Sequence, residues 1–244
     1  GDDRRQRQMC IRDRHKIDRI KKILNGKKQK VSWESKTMNV LIPMAGRGSR
    51  FATQGYTFPK PLIDVKGKPM IQVVVDNLNI KAKYTFIVQK EHYEKYSLQY
   101  LLNLIAPDCN IVQVDGITEG AACTTLLAKE FIDNDEPLLM ANSDQFVEWD
   151  SNETLYAFSN GDCDGGILTF PASHPKWSYA KLDDDGFVSE VAEKKPISEH
   201  ATVGVYWWKK GSDYVKYAEQ MIEKNIRTNG CLLYTSPSPR DAHK

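Results

Sequence analysis

Two short segments near residue 50 carry glycines and cations at a spacing that suits a polyphosphate. The run Gly46-Arg47-Gly48-Ser49-Arg50 comes directly after an apolar run that predicts a buried strand over Asn39 to Pro43. Further on, Phe58-Pro59-Lys60-Pro61 holds a lysine between two prolines, which fix the backbone on either side of it. Glycines let backbone N–H groups approach phosphate oxygens, and Arg and Lys neutralise the charge. Together the segments predict a polyphosphate site at the tip of a strand.

Two better-known phosphate loops do not fit this stretch. A Walker loop would need Gly-Lys followed by Ser or Thr, and no such run follows Gly46. A dinucleotide fingerprint would need a third glycine where this chain has Phe51. The remaining alternative is an ordinary strand-to-helix connection with solvated cations. The pairing of Arg50 with the proline-flanked Lys60 argues against it.

A carboxylate follows another predicted strand. Asp144, in Ala141-Asn142-Ser143-Asp144-Gln145, comes after the apolar strand predicted over Pro137 to Met140. Open α/β sheets bind ligands at the carboxyl ends of their strands. A carboxylate there can hold Mg²⁺, which bridges nucleotide phosphates. The alternative is an aspartate that caps the next helix.

At these residues the chain resembles the sugar-phosphate nucleotidyltransferases, the NTP_transferase family of nucleotide-diphospho-sugar pyrophosphorylases. The family signature runs from an AGxGxR loop to a PK dipeptide and a GxPxI segment. This chain has Ala45 to Arg50, Pro59-Lys60 and Gly67 to Ile71 in that order. The resemblance implies an enzyme of the EC 2.7.7 type whose partners are an NTP and a phosphorylated small molecule, with Mg²⁺ as cofactor. It implies nucleotide-binding roles for the loop residues Ala45, Gly46, Arg47 and Gly48.

The reaction that the resemblance implies is nucleotidyl transfer. A phosphate oxygen of the acceptor attacks the α-phosphorus of the NTP, and pyrophosphate leaves. Such catalysis consists of positioning and charge stabilisation. We expect Arg50 to hold the leaving phosphates and Lys60 to bridge the α-phosphate and the acceptor phosphate. Asp144 matches the metal-binding aspartate of the family.

The family's base-binding segment matches Thr118 to Thr125. Small residues there open a predicted helix, and Gly120 falls on the family's glycine. The position that often carries a glutamine reading a pyrimidine edge falls on Asp115, although the alignment can slip to Gln113. An ionised aspartate only accepts hydrogen bonds, so Asp115 would favour a base edge with a donor, such as N4 of cytosine.

The acceptor side is expected in the strand-rich second half. Glu193 and Lys194, in an EKKP run, resemble the EKP motif that contacts the sugar and its phosphate, and Gly204 lies in the strand that follows the motif in the family. The second metal aspartate expected shortly after that glycine is missing. Mg²⁺ would then be held by Asp144 with phosphates and water, or by a substitute such as Asp213. Two aromatic residues could pack on a sugar or a choline-like head group, or belong to the core: Trp177 and Tyr179.

Three functions remain open from the sequence. The first is formation of an NDP-activated sugar from an NTP and a sugar 1-phosphate, in nucleotide-sugar and cell-surface polysaccharide biosynthesis. The second is a cytidylyltransferase for a small phosphomonoester such as phosphocholine. The third is a non-catalytic nucleotide-sensing module. The sequence leaves the oligomeric state open, homo-oligomers included.

Charge divides the chain into three parts. The net charge of +2 combines a basic stretch over 1–38 with net +8, an acidic body over 39–230 with net −7, and a tail over 231–244 with net +1. An acidic body is a poor nucleic-acid binder, so the local cations should serve one small anion. Without a long apolar run or a signal peptide, we expect a cytoplasmic protein with no membrane partner.

Both ends resemble translated sequencing adapters. Arg4 to Asp13 and Cys231 to Asp241 are the matching stretches. We therefore expect 1–37 to be a non-native or upstream leader, Met38 to be the native start, 38–230 to be a nucleotidyltransferase domain truncated at its C-terminal end, and 231–244 to be an adapter-derived tail.

The body alternates predicted strands and helices and then turns strand-rich. The rhythm predicts an α/β fold with a three-layer, doubly wound, mostly parallel sheet of Rossmann-like type and a strand-rich acceptor half. We expect Asp183 to Gly186 to form a hairpin turn. The other predicted helices cover Met70 to Leu78, Glu91 to Ile105, Ala121 to Ile132, Ser151 to Phe158 and Gly211 to Ile226, and the other strands cover Tyr84 to Val88, Ile111 to Val114, Gly166 to Phe170, Tyr179 to Leu182, Phe187 to Ala192 and Val203 to Trp208.

Overall fold

The structure is a computed structural model that describes residues 32–46, 58–116 and 118–224. Four residues of the predicted phosphate loop, Arg47, Gly48, Ser49 and Arg50, lie outside the described residues. The two stretches that resemble adapters also lie outside them. Among the described residues, no helix is long and apolar enough to cross a bilayer.

An eight-stranded sheet organises the chain, in the order β5-β4-β1-β6-β10-β8-β9, with β7 paired to β10. The first four of these strands run parallel, and β10 is antiparallel to β6, β7 and β8. The seam between β6 and β10 therefore separates a parallel half from an antiparallel half. The strands are β1 (Trp33–Pro43), β2 (Asp64–Val65), β3 (Lys68–Pro69), β4 (Ile80–Gln89), β5 (Asn110–Val114), β6 (Leu138–Ala141), β7 (Gly165–Pro171), β8 (Tyr179–Leu182), β9 (Val188–Ala192) and β10 (His200–Trp208), of which β2 and β3 form a separate hairpin.

Helices cover both faces of the sheet. One face packs against the apolar sides of α1, α3 and α6, and the other against α5 and α7. The strands between them are apolar on both sides, as expected for a parallel sheet covered by two helical layers. The helices are α1 (Met70–Leu78), α2 (Lys90–Lys95), α3 (Leu98–Ile105), α4 (Ala121–Leu126), α5 (Lys129–Ile132), α6 (Ser151–Asn160) and α7 (Gly211–Glu223).

The predicted three-layer α/β fold class is confirmed by this arrangement. α1 has the predicted bounds and ends at Asn79, which adopts the left-handed conformation. α6 begins where Asp150 caps it by accepting a hydrogen bond from the Glu153 backbone N–H at 3.1 Å. Local sequence signals therefore suffice to place both helices.

Two predicted helices are wrong as single elements. The one predicted over Glu91 to Ile105 is interrupted at Ser97, whose φ of +49° is left-handed, so that α2 and α3 are separate. The one predicted over Ala121 to Ile132 is interrupted around Ala128 and becomes α4 and α5. Apolar spacing marks a buried face, but it does not reveal a change of direction between two short helices.

The first strand begins earlier than predicted. β1 starts at Trp33 instead of Asn39, and its first residues pair with Ile80 and Lys81 of β4 before the register shifts. The Ser32 hydroxyl also donates to Oδ1 of Asn79 at 3.0 Å. The native start at Met38 stays a prediction.

The predicted hairpin turn is present between β8 and β9. Oδ1 of Asp183 accepts hydrogen bonds from the backbone N–H groups of Asp185 and Phe187, at 3.1 and 2.9 Å. Gly186 takes the left-handed conformation with a φ of +85°, which a glycine adopts without steric cost.

Candidate nucleotide and acceptor site

Several of the described site candidates lie along the carboxyl edge of the parallel half. Ala45 follows β1, Asp115 follows β5, and Asp144 lies three residues beyond β6. β4 ends at this same edge with Gln89. Because parallel strands point the same way, these positions share one edge although they are far apart in the chain.

Lys60 and Asp144 form an ion pair across this edge. Lys60 begins a 3-10 turn whose third residue, Leu62, donates its backbone N–H to the Pro59 oxygen at 2.8 Å. The Lys60 ammonium contacts Oδ2 of Asp144, and the two side chains are 32% and 25% exposed. A proline-fixed lysine and a strand-end carboxylate, predicted separately, are therefore direct neighbours.

Gln89 links two loops of the same edge. Its amide nitrogen Nε2 donates one hydrogen bond to the Ala45 oxygen at 2.6 Å and another to the Gly116 oxygen at 2.9 Å. A primary amide has two N–H donors, so both are satisfied at once. One side chain thus links the start of the phosphate loop to Gly116, just ahead of the base segment. Sequence reasoning missed this residue, because the bond depends on β4 lying between β1 and β5.

The predicted base segment opens α4. Asp115 is exposed directly beyond β5, whereas Gln113 lies inside β5 opposite Val88. Of the two candidates, Asp115 is the one at the carboxyl edge. Gly120 precedes the helix in an extended conformation, and its oxygen accepts from the Thr124 backbone N–H at 3.0 Å and hydroxyl at 3.1 Å.

Gly204 occupies a bulge of β10 against the loop that carries Asp144. Its φ is +77°, and a Cβ atom there would lie 2.1 Å from Nδ2 of Asn142 and 2.7 Å from Oε1 of Gln145. Its oxygen accepts the Asn142 backbone N–H at 3.0 Å. The left-handed backbone favours glycine here, and a larger residue would also force the Asn142 and Gln145 side chains to move.

Two flanking residues of β10 brace this bulge. Thr202 pairs with Thr169 of β7 and Tyr206 pairs with Ile167, so that three residues of β10 lie opposite one of β7. The Tyr206 hydroxyl hydrogen-bonds to the Thr202 side chain. Burial raises the pKa of Tyr206, and the bond to Thr202 opposes the shift in part. The tyrosine therefore remains a neutral structural group.

Glu193 and Lys194 follow β9 on the antiparallel side. Their side chains form an ion pair at 3.0 Å, with Glu193 the more buried of the two. Lys194 has a left-handed φ of +54°. β8 lies between β9 and β10, so this pair is two strand spacings, about 10 Å, from β10.

The carboxylates of the site fit Mg²⁺ through one protein ligand. No group of three or more histidine, cysteine, aspartate or glutamate residues that could hold a metal occurs in the described part of the chain. Nucleotide-bound Mg²⁺ commonly takes one or two carboxylates and fills its other positions with phosphate oxygens and water. Asp144 suits that role, and Lys60 is the cation now beside it.

Asp213 is wrong as a substitute metal ligand. It lies in the first turn of α7, where the Ser212 backbone N–H donates to the Asn134 oxygen at 2.9 Å, ahead of β6. Asp144 comes after β6. The length of that four-residue strand, about 13 Å, separates the two carboxylates.

Of the two aromatic residues suggested for the acceptor, Tyr179 belongs to the core and Trp177 is half-buried. Tyr179 is fully buried and donates its hydroxyl to the His174 oxygen at 2.8 Å. Trp177 contacts Phe170 edge-on at 5.2 Å between ring centroids, and the Lys176 ammonium lies 4.7 Å from its ring. The core alternative therefore accounts for Tyr179.

A separate cavity of about 220 Å³ lies between α6 and the strands β7, β8 and β9. Its walls include Trp149, Phe158, Leu168 and Leu182. None of the predicted site residues that the structure describes lines it. The described candidates therefore lie outside this cavity.

The chain is similar to known proteins in sequence and in fold. The sequence model of the family described as "Nucleotidyl transferase" matches residues 39–230. Over 173 residues the chain is 26% identical to the Bifunctional protein GlmU of Methanocaldococcus jannaschii, covering 69% of this chain and 39% of that protein. Over 178 residues it is 27% identical to the Low-salt glycan biosynthesis nucleotidyltransferase Agl11 of Haloferax volcanii, covering 69% of this chain and 48% of that protein. The chain thus spans less than half the length of these two relatives.

A solved structure shares the fold. The nucleoside-diphosphate-sugar pyrophosphorylase of Vibrio cholerae RC9 superposes with a TM-score of 0.64 at 25% identity. The match covers 81% of this chain and 84% of that one. The shared region therefore includes most of both sheet halves described above.

Proposed function

From its membership of the nucleotidyl transferase family, we propose that this chain transfers the nucleotidyl group of an NTP to a sugar 1-phosphate and releases pyrophosphate. An oxygen of the acceptor phosphate forms the new bond to the α-phosphorus. The bond from that phosphorus to the bridging β-oxygen breaks, and its electron pair leaves with pyrophosphate. No protein nucleophile is needed, so the protein contributes position and charge.

The observation that carries this proposal is the contact of Lys60 with Asp144 at the carboxyl edge of the sheet. A cation and a carboxylate side by side can serve the two kinds of partner in the reaction, phosphate oxygens and a divalent ion. The described residues proposed for the nucleotide lie on one side of the pair, beyond β1 and β5, and the proposed acceptor residues lie on the other, directly after β9 and in β10. A phosphate group bound between the two sides contacts both the nucleotide residues and the acceptor residues.

In the proposed mechanism Lys60 turns from Asp144 to the phosphates when substrates bind. Its ammonium then lies between the α-phosphate and the acceptor phosphate and offsets their repulsion. Arg50 is proposed to hold the leaving β- and γ-phosphates. Mg²⁺ bound at Asp144 would neutralise phosphate charge. Such preorganised charges act strongly at a site that excludes water.

Gln89 and Gly204 are proposed to position the two sides. The two hydrogen bonds donated by Gln89 hold the Ala45 and Gly116 carbonyl oxygens, and so the loops that follow β1 and β5, at a fixed separation. The bulge at Gly204 presents the acceptor strand to Asn142, on the loop that carries Asp144. Correct separation of reacting groups accounts for much of the rate in transfer reactions without a covalent intermediate.

A pyrophosphate-release assay tests the proposal. The 244-residue chain is incubated with Mg²⁺, each of ATP, GTP, CTP, UTP and TTP, and each of glucose, galactose and mannose 1-phosphate or phosphocholine. We expect release that depends on both a nucleotide and a hexose 1-phosphate. Release with CTP and phosphocholine alone would favour the cytidylyltransferase. Nucleotide binding without release from any pair would favour a sensing module.

A further inference from the structure

One buried acceptor atom beside Asp144 has no donor. Oε1 of Gln145 is buried, and no described residue donates a hydrogen bond to it. The other buried side-chain nitrogen and oxygen atoms that lack a partner in the described ranges are indole N–H groups, which belong to Trp33, Trp207 and Trp208. An unpaired buried carbonyl oxygen is costly, so its persistence at a site calls for a functional explanation.

The unpaired oxygen lies on the acceptor side of the site. A Cβ atom added at Gly204 would lie 2.7 Å from Oε1 of Gln145, so the amide lies against β10, away from β4 and β5. Asn142 lies against the same glycine and is bonded to it through the backbone. The Gln145 residue as a whole is only half-buried although its oxygen is buried. The buried oxygen therefore belongs to a residue that is partly open to solvent.

We propose that Gln145 accepts a hydrogen bond from a hydroxyl group of the acceptor, so that the acceptor is a sugar phosphate and not an alkylammonium phosphate. This rests on the proposed nucleotidyl transfer. A neutral amide suits a hydroxyl, which donates and accepts, whereas a phosphate is better matched by cations. The quaternary ammonium of phosphocholine has no N–H or O–H group and leaves Oε1 unpaired. A sugar ring supplies the missing donor.

The substitution Gln145→Met tests the inference with two readouts that move in opposite directions. Methionine keeps a similar length and removes the unpaired oxygen, so the ligand-free variant should melt at a higher temperature than the parent chain. The same variant should show a KM for hexose 1-phosphate raised about tenfold, with the KM for NTP unchanged. A purely structural glutamine would not give a more stable protein with a weaker acceptor KM.

Deoxy sugars make the assignment specific. Glucose 1-phosphates that lack the 2-, 3-, 4- or 6-hydroxyl are compared in the parent chain and in Gln145→Met. In the parent chain we expect one deoxy compound to have a higher KM than glucose 1-phosphate. In the variant we expect the two compounds to have equal KM values, because the hydrogen bond from that hydroxyl to residue 145 is already lost. Gln99→Met is the matched control, since Gln99 is exposed on α3 and its Oε1 accepts a hydrogen bond from the Tyr93 hydroxyl.

The outcomes separate the two levels of the proposal. An unchanged hexose 1-phosphate KM in Gln145→Met, or phosphocholine turned over in preference to every hexose 1-phosphate, overturns the role of Gln145 and leaves nucleotidyl transfer standing. No release from any nucleotide and acceptor pair removes the proposed transfer and this inference with it.

Discussion

Lys60 and Asp144 are separated by 84 positions in the chain and are ion-paired in the fold. The lysine is held by a 3-10 turn after Pro59, and the aspartate lies beyond β6. Each charge is partly exposed, so the pair contributes little to the free energy of unfolding. Its value is the placement of two opposite charges where phosphates and a divalent ion are expected.

We expect Lys60→Met and Asp144→Asn each to lower pyrophosphate release by about tenfold or more, because each removes a charge that the reaction uses. The melting temperature should change little, since a partly exposed pair adds little stability. Steady-state release and a thermal melt measure both. The ion pair of Lys68 with Asp76, at 2.7 Å, is more exposed and supplies the control variant Lys68→Met. Near-normal turnover in both site variants would remove these residues from the mechanism.

Gly204→Ala should destabilise the protein and impair the acceptor side together. The added methyl group meets Asn142 and Gln145 and also strains a left-handed backbone, at a cost of about 1–3 kcal/mol in the free energy of unfolding. We expect a raised KM for the acceptor and a lower denaturant midpoint.

Gly186→Ala separates the effect of backbone strain from the effect of a steric clash. Gly186 has a similar φ of +85°, but its position has no heavy atom within 4 Å of an added Cβ. We expect this variant to lose stability by about 1 kcal/mol and to keep the acceptor KM. Equal acceptor KM values in the two alanine variants would contradict the packing role of Gly204.

Gln89 should affect the nucleotide and not the acceptor. Gln89→Leu removes both bonds that link the Ala45 and Gly116 oxygens, so the two loops lose their common support. Gln89→Glu is expected to be worse, because an ionised carboxylate has no donor and faces two carbonyl oxygens. We expect the KM for NTP to rise about threefold in the first variant and about tenfold in the second. Initial rates at varied NTP measure this, and Gln99→Leu is the control. A change confined to the acceptor KM would be inconsistent with the geometry.

Asp115 offers a prediction about the base. If its carboxylate accepts from N4 of cytosine, CTP should be preferred over UTP and TTP in the parent chain. Asp115→Asn supplies a donor as well as an acceptor, so the preference for CTP over UTP should fall by about tenfold. The ratio of kcat/KM for CTP and UTP measures it. A parent chain that clearly prefers TTP or UTP would exclude this role.

Much of the fold follows from local sequence signals, and the site follows from them in part. Apolar runs predict β1 and β6, the proline-flanked dipeptide identifies Lys60 as a candidate, and the position after β6 identifies Asp144. The interruption at Ser97 could not be predicted, because an uncapped change of direction leaves the apolar spacing almost intact. The suggestion of Asp213 as a metal ligand failed for a different reason. Asp213 follows the Gly204 strand in the sequence, but β10 runs antiparallel to β6 and therefore places Asp213 at the opposite edge of the sheet from Asp144.

Contacts between residues on different strands could not be predicted from the sequence. The two bonds of Gln89 exist only because β4 lies between β1 and β5. The unpaired oxygen of Gln145 depends on a bulge in a strand that follows it by some sixty positions. Neither residue belongs to a motif, so only the assembled sheet shows what it touches.

The seam between β6 and β10 has a consequence for how such a protein can diversify. The residues proposed for the nucleotide lie before β6 in the chain, Asp144 and Gln145 lie in the 142–150 connection after it, and the other residues proposed for the acceptor sugar follow that connection. A single genetic crossover directly after β6 would therefore keep the nucleotide-binding segments and exchange Asp144 together with the proposed sugar contacts. Recombination between family members at this point offers a route to new pairings of base and sugar, and it gives protein engineers a defined place to join two parents.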